Sequence, residues 1–211
     1  MDSSLPETLV TILIMAKSPK PGFVKTRLCP PCTPEQAAAV AAAALFDTID
    51  AASATGLPVV LAYEGHPIAD LPDNIQVFPQ SGDSFAERLT HAWSSIDTPA
   101  VQIAMDTPQV QPAALLHAFE ETKRVGSALG PSEDGGWWII GFATPPAPAM
   151  FHIEMSTAMT GSLQLRQLQQ HGYEVADLPV LRDVDSWEDA REVAALVPDN
   201  RFGRIVESIG A

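Results

Sequence analysis

Thr8-Leu-Val-Thr-Ile-Leu-Ile-Met-Ala16 runs directly into Lys17-Ser-Pro-Lys20-Pro-Gly22-Phe-Val-Lys25-Thr26-Arg27-Leu28. The first half is β-branched and nearly all apolar, which suits a strand buried on both faces of a parallel sheet. The second half holds four of the chain's twelve Lys and Arg residues, and the next basic residue after Arg27 is Arg88. In a protein with a formal charge of -14, cations gathered in one loop make a local positive field on a surface that otherwise repels anions. Pro19, Pro21 and Gly22 set a turn and permit close backbone approach, so amide hydrogens as well as side chains can face a phosphate chain. The alternative is a solvated basic turn after an edge strand.

At 211 residues the chain is long enough for one substantial core, and no linker-like run divides it, so residues 1–211 read as one domain. The N-terminus, Met1-Asp-Ser-Ser-Leu-Pro-Glu7, is acidic and lacks a basic signal region, and no apolar run reaches membrane-spanning length. A cytoplasmic protein is the default expectation. The negative charge argues against nucleic acid or an anionic membrane surface as partner. It is compatible with a small anion bound together with a divalent cation, since carboxylates are what such a cation needs. Oligomeric state is left open. The two cysteines form Cys29-Pro-Pro-Cys32, a spacing shared with redox sites. A dithiol exchange site has no use for four cations, and no second Cys or His pair with ligand spacing supports structural zinc.

Further along, Thr33-Pro34-Glu35 reads as N-cap, first-turn proline and acidic first turn, predicting a helix over 34–53. Strands are expected at 57–63, 75–78, 99–105, 125–129, 137–142 and 173–176. Helices are expected from Gly82-Asp-Ser-Phe-Ala-Glu-Arg88 onward, with an apolar face of Phe85, Leu89, Ala92, Trp93 and Ile96, and at 112–123, 161–171 and 187–196. Ser186 with Asp189 forms an acidic capping box for the last of these. The Pro-rich 144–149 reads as a surface connection. This alternation implies a mostly parallel sheet covered on both faces, a Rossmann-like three-layer α/β/α sandwich.

Asp106 follows the strand at 99–105, and in open α/β sheets ligands bind outside the carboxyl ends of strands. Asp183 and Asp185 precede a helix. Hard divalent cations bind through one or two carboxylates plus substrate phosphates, the donor type offered here. Asp185 is the better candidate of the pair, with helix capping the alternative role for either. Gly135-Gly136, between Asp134 and two tryptophans, suggests backbone closely approached by a ligand beside an aromatic wall. Because strand side chains alternate, only one of Trp137 and Trp138 should face a pocket; Trp138 is the candidate. Arg88, early on its helix, could point back to the basic loop.

With these stretches placed, the chain resembles the GT-A type nucleotide-diphospho-sugar transferase superfamily. Within it, the likeness is to a bacterial glycosyltransferase-like family related to the 2-phospholactate and molybdenum-cofactor guanylyltransferases. Ala16 to Leu28, Gly82 to Leu89, Met105-Asp-Thr-Pro108, Gly130 to Trp138 and Arg182 to Asp189 carry the match. The resemblance implies that Lys25 and Arg27 touch nucleotide phosphates, that Asp106 holds the metal, Mg2+ or Mn2+, with Asp185 as second acidic ligand, and that Arg88 lies near base or phosphates. It implies a nucleotide site comprising Ala16, Lys17, Pro21, Gly22, Lys25, Arg27, Gly82, Arg88 and Asp106. An acceptor or sugar pocket would contain Glu133, Asp134, Gly135, Gly136 and Trp138. Phe85-Ala86 stands where the family pattern has Leu-Gly, and Trp137-Trp138 replaces the commoner Gly-Gly-Tyr continuation.

The function expected is metal-dependent transfer from a nucleoside triphosphate or nucleotide sugar to a small-molecule acceptor, with Lys25, Arg27 and Asp106 as catalytic candidates. Brevity and the lack of an appended acceptor domain favour nucleotidylyl transfer onto a small phosphorylated acceptor. The alternatives are a glycosyltransferase using a nucleotide-diphospho-sugar and, in another class, a non-catalytic nucleotide-sensing protein.

Overall fold

A computed structural model describes residues 11–65 and 71–210. The expected strand residues 8–10 and the acidic N-terminus lie outside the described residues. Thr11–Lys17 forms β1, inside a seven-stranded sheet. Ile12, Ile14 and Ala16 enter one hydrophobic cluster while Leu13 and Met15 enter another. Both faces of the strand are therefore buried, as its unbroken apolar sequence requires.

The other strands are β2 (Val59–Glu64), β3 (Gln76–Pro79), β4 (Ala100–Ala104), β5 (Ser127–Pro131), β6 (Trp137–Phe142) and β7 (Val175–Asp177), in the order β3-β2-β1-β4-β6-β5-β7. β6 runs antiparallel to both β4 and β5, and the other neighbours pair in parallel. Since β4 and β5 are each antiparallel to β6, their carboxyl ends fall on the same edge of the sheet as those of β1 and β2. Every segment with chemical character in the sequence leaves the sheet along that edge.

Helices α1 (Pro34–Ser53) and α3 (Pro112–Val125) cover one face, through Ala41, Leu45, Leu115 and Phe119. Helices α2 (Phe85–Ser94) and α4 (Thr160–Gln170) cover the other, through Leu89, Trp93 and Leu168. The chain is thus the expected α/β sandwich. α1 starts where expected because Thr33 and Gln36 cap it reciprocally: the Gln36 amide donates to Thr33 Oγ1 (3.2 Å) and the Thr33 amide to Gln36 Oε1 (2.8 Å). Its small alanines let it pack on both sides. Beyond it lie α5 (Trp187–Leu196) and α6 (Arg201–Gly210), joined to α1 through Val40, Ala44, Val193 and Phe202.

Several boundaries shift, β2 among them, which starts at Val59 rather than Leu57. α3 extends to Val125 because Gly126, at φ 113, supplies the reversal that ends it, so β5 starts at Ser127 rather than Val125. The last strand begins at Val175, not Tyr173. The Pro-rich connection ends in a short 3-10 turn, Pro148–Phe151, that buries Met150 and Phe151 in the core. No helix among the described residues is long and apolar enough to cross a membrane.

Candidate functional site

The basic loop leaves β1 at the carboxyl edge and tightens into a 3-10 turn, Thr26–Leu28, whose Leu28 is fully buried. Lys25, just before that turn, has φ 47 and ψ 38, a left-handed conformation that disfavours a side-chain-bearing residue by roughly 1–2 kcal/mol. The surroundings fix it there. Lys25 Nζ donates to Asp106 Oδ2 (3.0 Å) and Asp185 Oδ1 (3.1 Å), and Arg27 Nη1 to Asp185 Oδ2 (3.0 Å). Burial lowers the affinity of the Lys25 amine for its proton, but Asp106 and Asp185 more than offset this and raise its pKa above the ordinary value.

Asp106 sits just past β4, and its carbonyl accepts from the Val184 amide (3.0 Å), which pins the segment 183–185 to the end of that strand. Val184 is buried at 1% exposure. In an extended segment its two neighbours point the opposite way, so Asp183 and Asp185 face the same side. Oxygen atoms of Asp134, Asp183 and Asp185 lie within 4.8 Å of one another. Burial, with the charges of Asp106, Asp134 and Asp185, raises the Asp183 pKa to about 7. Three oxygens at this separation are a donor set that suits a hard divalent cation, which would also relieve the repulsion acting on Asp183.

Of the residues expected to bind nucleotide, Ala16, Lys17, Lys25, Arg27 and Asp106 line one cavity of about 320 Å³ at the carboxyl ends of β1 and β4, together with Asp185. The others stand apart from its lining. Pro21 and Gly22 form the outer turn of the loop, Gly22 at φ 78. Gly82 (φ 130) is required by packing: a Cβ there would lie 2.9 Å from the Arg88 amide nitrogen. Arg88 turns toward Glu64 (4.0 Å), which also pairs with Lys17 (3.3 Å). The start of α2 is closed by its own capping box, in which the Ser84 amide donates to Glu87 Oε2 (3.0 Å) and the Glu87 amide to Ser84 Oγ (3.2 Å).

The residues expected in an acceptor pocket are dispersed. Trp138 is 2% exposed, packs in the core and donates through Nε1 to the Pro179 carbonyl (2.9 Å), so it walls no pocket. Trp137, half-buried, packs on the opposite cluster. Glu133 pairs with Arg182 (2.5 Å), which also holds Asp189 and Glu192. Gly135 and Gly136 are explained by their own chain: a Cβ on Gly135 would lie 2.1 Å from the Ala158 carbonyl oxygen, and the Gly161 amide donates to the Gly135 carbonyl (2.8 Å). Both glycines nevertheless border a second cavity, of about 530 Å³, between β5, β7 and α4. Ser132, on its wall, donates to Asp134 Oδ1 (2.5 Å), so the carboxylate cluster touches the wall of this cavity through Asp134 and lines the first through Asp185.

Asp183 and Asp185 thus stand together rather than as alternatives, and the Asp-Val-Asp alternation around a buried valine is the sequence signal for it. Phe23, Gln80 and Phe85 also line the first cavity, and nothing local in the sequence marks Gln80 for that place.

The family model described as "Uncharacterized protein conserved in bacteria (DUF2064)" matches residues 45–157. No curated protein matches the sequence significantly. Among solved structures, a "putative nucleotide-diphospho-sugar transferase" from Desulfovibrio desulfuricans G20 is 23% identical, with 95% of each chain covered and a TM-score of 0.85. A nucleotidyl transferase from Methanothermobacter is 13% identical over 91% of this chain and 99% of that one, with a TM-score of 0.63. Rv0371c from Mycobacterium tuberculosis H37Rv, in complex with manganese, is 21% identical over 88% and 98%, with a TM-score of 0.55.

Proposed function

The chain belongs to the DUF2064 family, and from that premise we propose that it is a metal-dependent transferase acting on a nucleoside triphosphate, moving the nucleotidyl group to a small acceptor. The observation that carries this reading is the ion-paired group of Lys25, Arg27, Asp106 and Asp185 at the strand ends. Its cations match a phosphate chain and its carboxylates match a divalent cation. The names of the Methanothermobacter and mycobacterial neighbours, a nucleotidyl transferase and a manganese complex, support the same chemistry.

Asp183, Asp185 and Asp134, with Asp106 beside them, would hold Mg2+ or Mn2+, which when bound supplies a Lewis acid for phosphate oxygens. Lys25 then exchanges its two carboxylate partners for phosphate oxygens, and Arg27 does the same from the more exposed side. An acceptor oxygen attacks the α-phosphorus, the bond from it to the bridging oxygen breaks, and pyrophosphate leaves. Lys25 and Arg27 neutralise charge growing on the phosphates, and loss of one such contact costs about 3–4 kcal/mol in the transition state. The second cavity is the place for the acceptor. Its lining includes Asp177 and no Lys or Arg, so the phosphate of a phosphorylated acceptor would have to point toward the basic loop.

Glycosyl transfer is the second reading, favoured by the name of the Desulfovibrio neighbour. It would use the same cations to hold a nucleoside diphosphate leaving group. Thermal-shift screening of triphosphates and nucleotide sugars with manganese, followed by phosphorus NMR with candidate acceptors, separates the two. Stabilisation by triphosphates, lost in Lys25→Ala and Asp106→Asn, with pyrophosphate released, is expected. Stabilisation by nucleotide sugars alone, with diphosphate released, would overturn nucleotidylyl transfer.

A further inference from the structure

The lining of the first cavity is of two chemical kinds. Lys25, Arg27, Asp106 and Asp185 make one. The other is apolar and includes Phe23 from the basic loop and Phe85 from the first turn of α2. Both are large hydrophobic side chains left in solvent, Phe23 at 72% exposure and Phe85 at 36%. Phe85 was expected on the buried face of α2, yet Leu89, Ala92 and Trp93 fill that face without it. Each ring is held near a cation: Lys20 Nζ lies 4.5 Å from the centre of Phe23, and the Arg88 guanidinium carbon 5.7 Å from that of Phe85. Such contacts restrict ring orientation without covering the ring as packing would.

Two polar groups of the lining are also incompletely partnered. Gln80 donates from Nε2 to the carbonyls of Ala16 and Ala62, both at 2.9 Å. Turning the amide over would set its oxygen against two carbonyl oxygens, so the orientation is fixed and Oε1 is presented as an acceptor. That oxygen is buried and has no donor. The Lys17 amide, at the end of β1, meets only the thioether of Met105, at 3.3 Å, a weak acceptor. Two exposed aromatic rings, one unfilled acceptor and one weakly used donor suit a flat heterocycle with N–H and acceptor groups on its edge. An alkyl chain would not use that set.

We propose that Phe23 and Phe85 bind the nucleobase by stacking, with Gln80 Oε1 accepting a hydrogen bond from the base edge. This rests on the nucleotide reading of the site and adds which residues grip the base. Calorimetry with manganese should compare a nucleoside triphosphate with inorganic tripolyphosphate, on wild type, Phe23→Ala, Phe23→Tyr and Phe85→Leu. Phe23→Ala and Phe85→Leu should weaken triphosphate binding roughly tenfold to a hundredfold, while tripolyphosphate binds as before and Phe23→Tyr restores affinity. Unchanged nucleotide affinity in both variants, or equal losses for nucleotide and tripolyphosphate, would overturn the stacking role and leave the proposed function standing. A wild type that binds tripolyphosphate as tightly as every nucleotide would also exclude base recognition. Failure of the wild type to bind any of these ligands would remove the nucleotide reading itself.

Discussion

Asp183→Asn should make the metal-free protein more stable at alkaline pH. The Asp183 carboxyl has a pKa of about 7 in the fold, raised by burial and then by Asp106, Asp134 and Asp185, against an ordinary value of 3.8. A raised carboxyl pKa means that the folded chain keeps a proton the unfolded chain has released. Stability from this group is therefore fully present below pH 3.8 and is lost as the pH rises to about 7, above which the loss is constant. Each pH unit between those limits is worth about 1.4 kcal/mol, giving a ceiling of about 4 kcal/mol at pH 8. Solvent at the open side of the site reduces this to roughly 2 kcal/mol. Asparagine keeps the shape and cannot ionise. Thermal melts in the presence of a chelator should show the variant higher by about 4–8 °C at pH 8 and level with wild type near pH 4. The same variant should gain less stabilisation from manganese than wild type does. Equal melting temperatures at pH 8, or a variant that keeps the wild-type pH dependence, would refute the claim that burial and the neighbouring carboxylates raise the Asp183 pKa.

Gly135→Ala should destabilise the fold by about 2 kcal/mol or more, read as a lowered denaturation midpoint, because its Cβ would lie 2.1 Å from the Ala158 oxygen at a backbone φ of 89. Unchanged stability would return Gly135 to the role of a ligand-approach residue. Cys29→Ser with Cys32→Ala should retain transfer activity: Cys32 is buried at 4% exposure, and burial followed by the neighbouring Cys29 raises its pKa, keeping it a thiol rather than a reactive thiolate. Loss of transfer with the melting temperature intact would restore the redox reading of Cys29-Pro-Pro-Cys32.

Much of the fold was legible because its signals are local. Thr33-Pro34 and Ser186 with Asp189 mark helix starts through contacts spanning three residues, and α1 and α5 begin where those caps place them. β6 is bounded by Gly136 and a run of bulky residues, and it too lies where expected. α6 went unread although Phe202, Ile205, Val206 and Ile209 repeat at helical spacing, with Asn200 Oδ1 accepting from the Gly203 amide at its start. The stretches that carry the family resemblance end at Asp189, and the family model stops at 157. Gly135-Gly136 is ambiguous for a different reason. A glycine required because another segment of the same chain presses against it looks, in sequence, like one required by a ligand, and only the position of Ala158 separates the two.

The site was legible as a set of charges and illegible as an arrangement. Lys25, Asp106 and Asp185 were each singled out, the lysine for phosphate and the carboxylates for metal. Their partners lie 81 and 160 residues away from Lys25, and no local pattern pairs them. The fold brings all three to one sheet edge, where desolvation penalises any charge without a partner, so without ligands they pair with one another. Under the proposed function, ligand binding then becomes an exchange of partners. A cation taking the carboxylates would leave Lys25 without a counter-charge, and a phosphate taking Lys25 would leave Asp106 and Asp185 without theirs. Either ligand alone meets that penalty, and both together avoid it. Metal and nucleotide should therefore favour each other's binding by the same factor, with Lys25 as the residue through which the two are coupled.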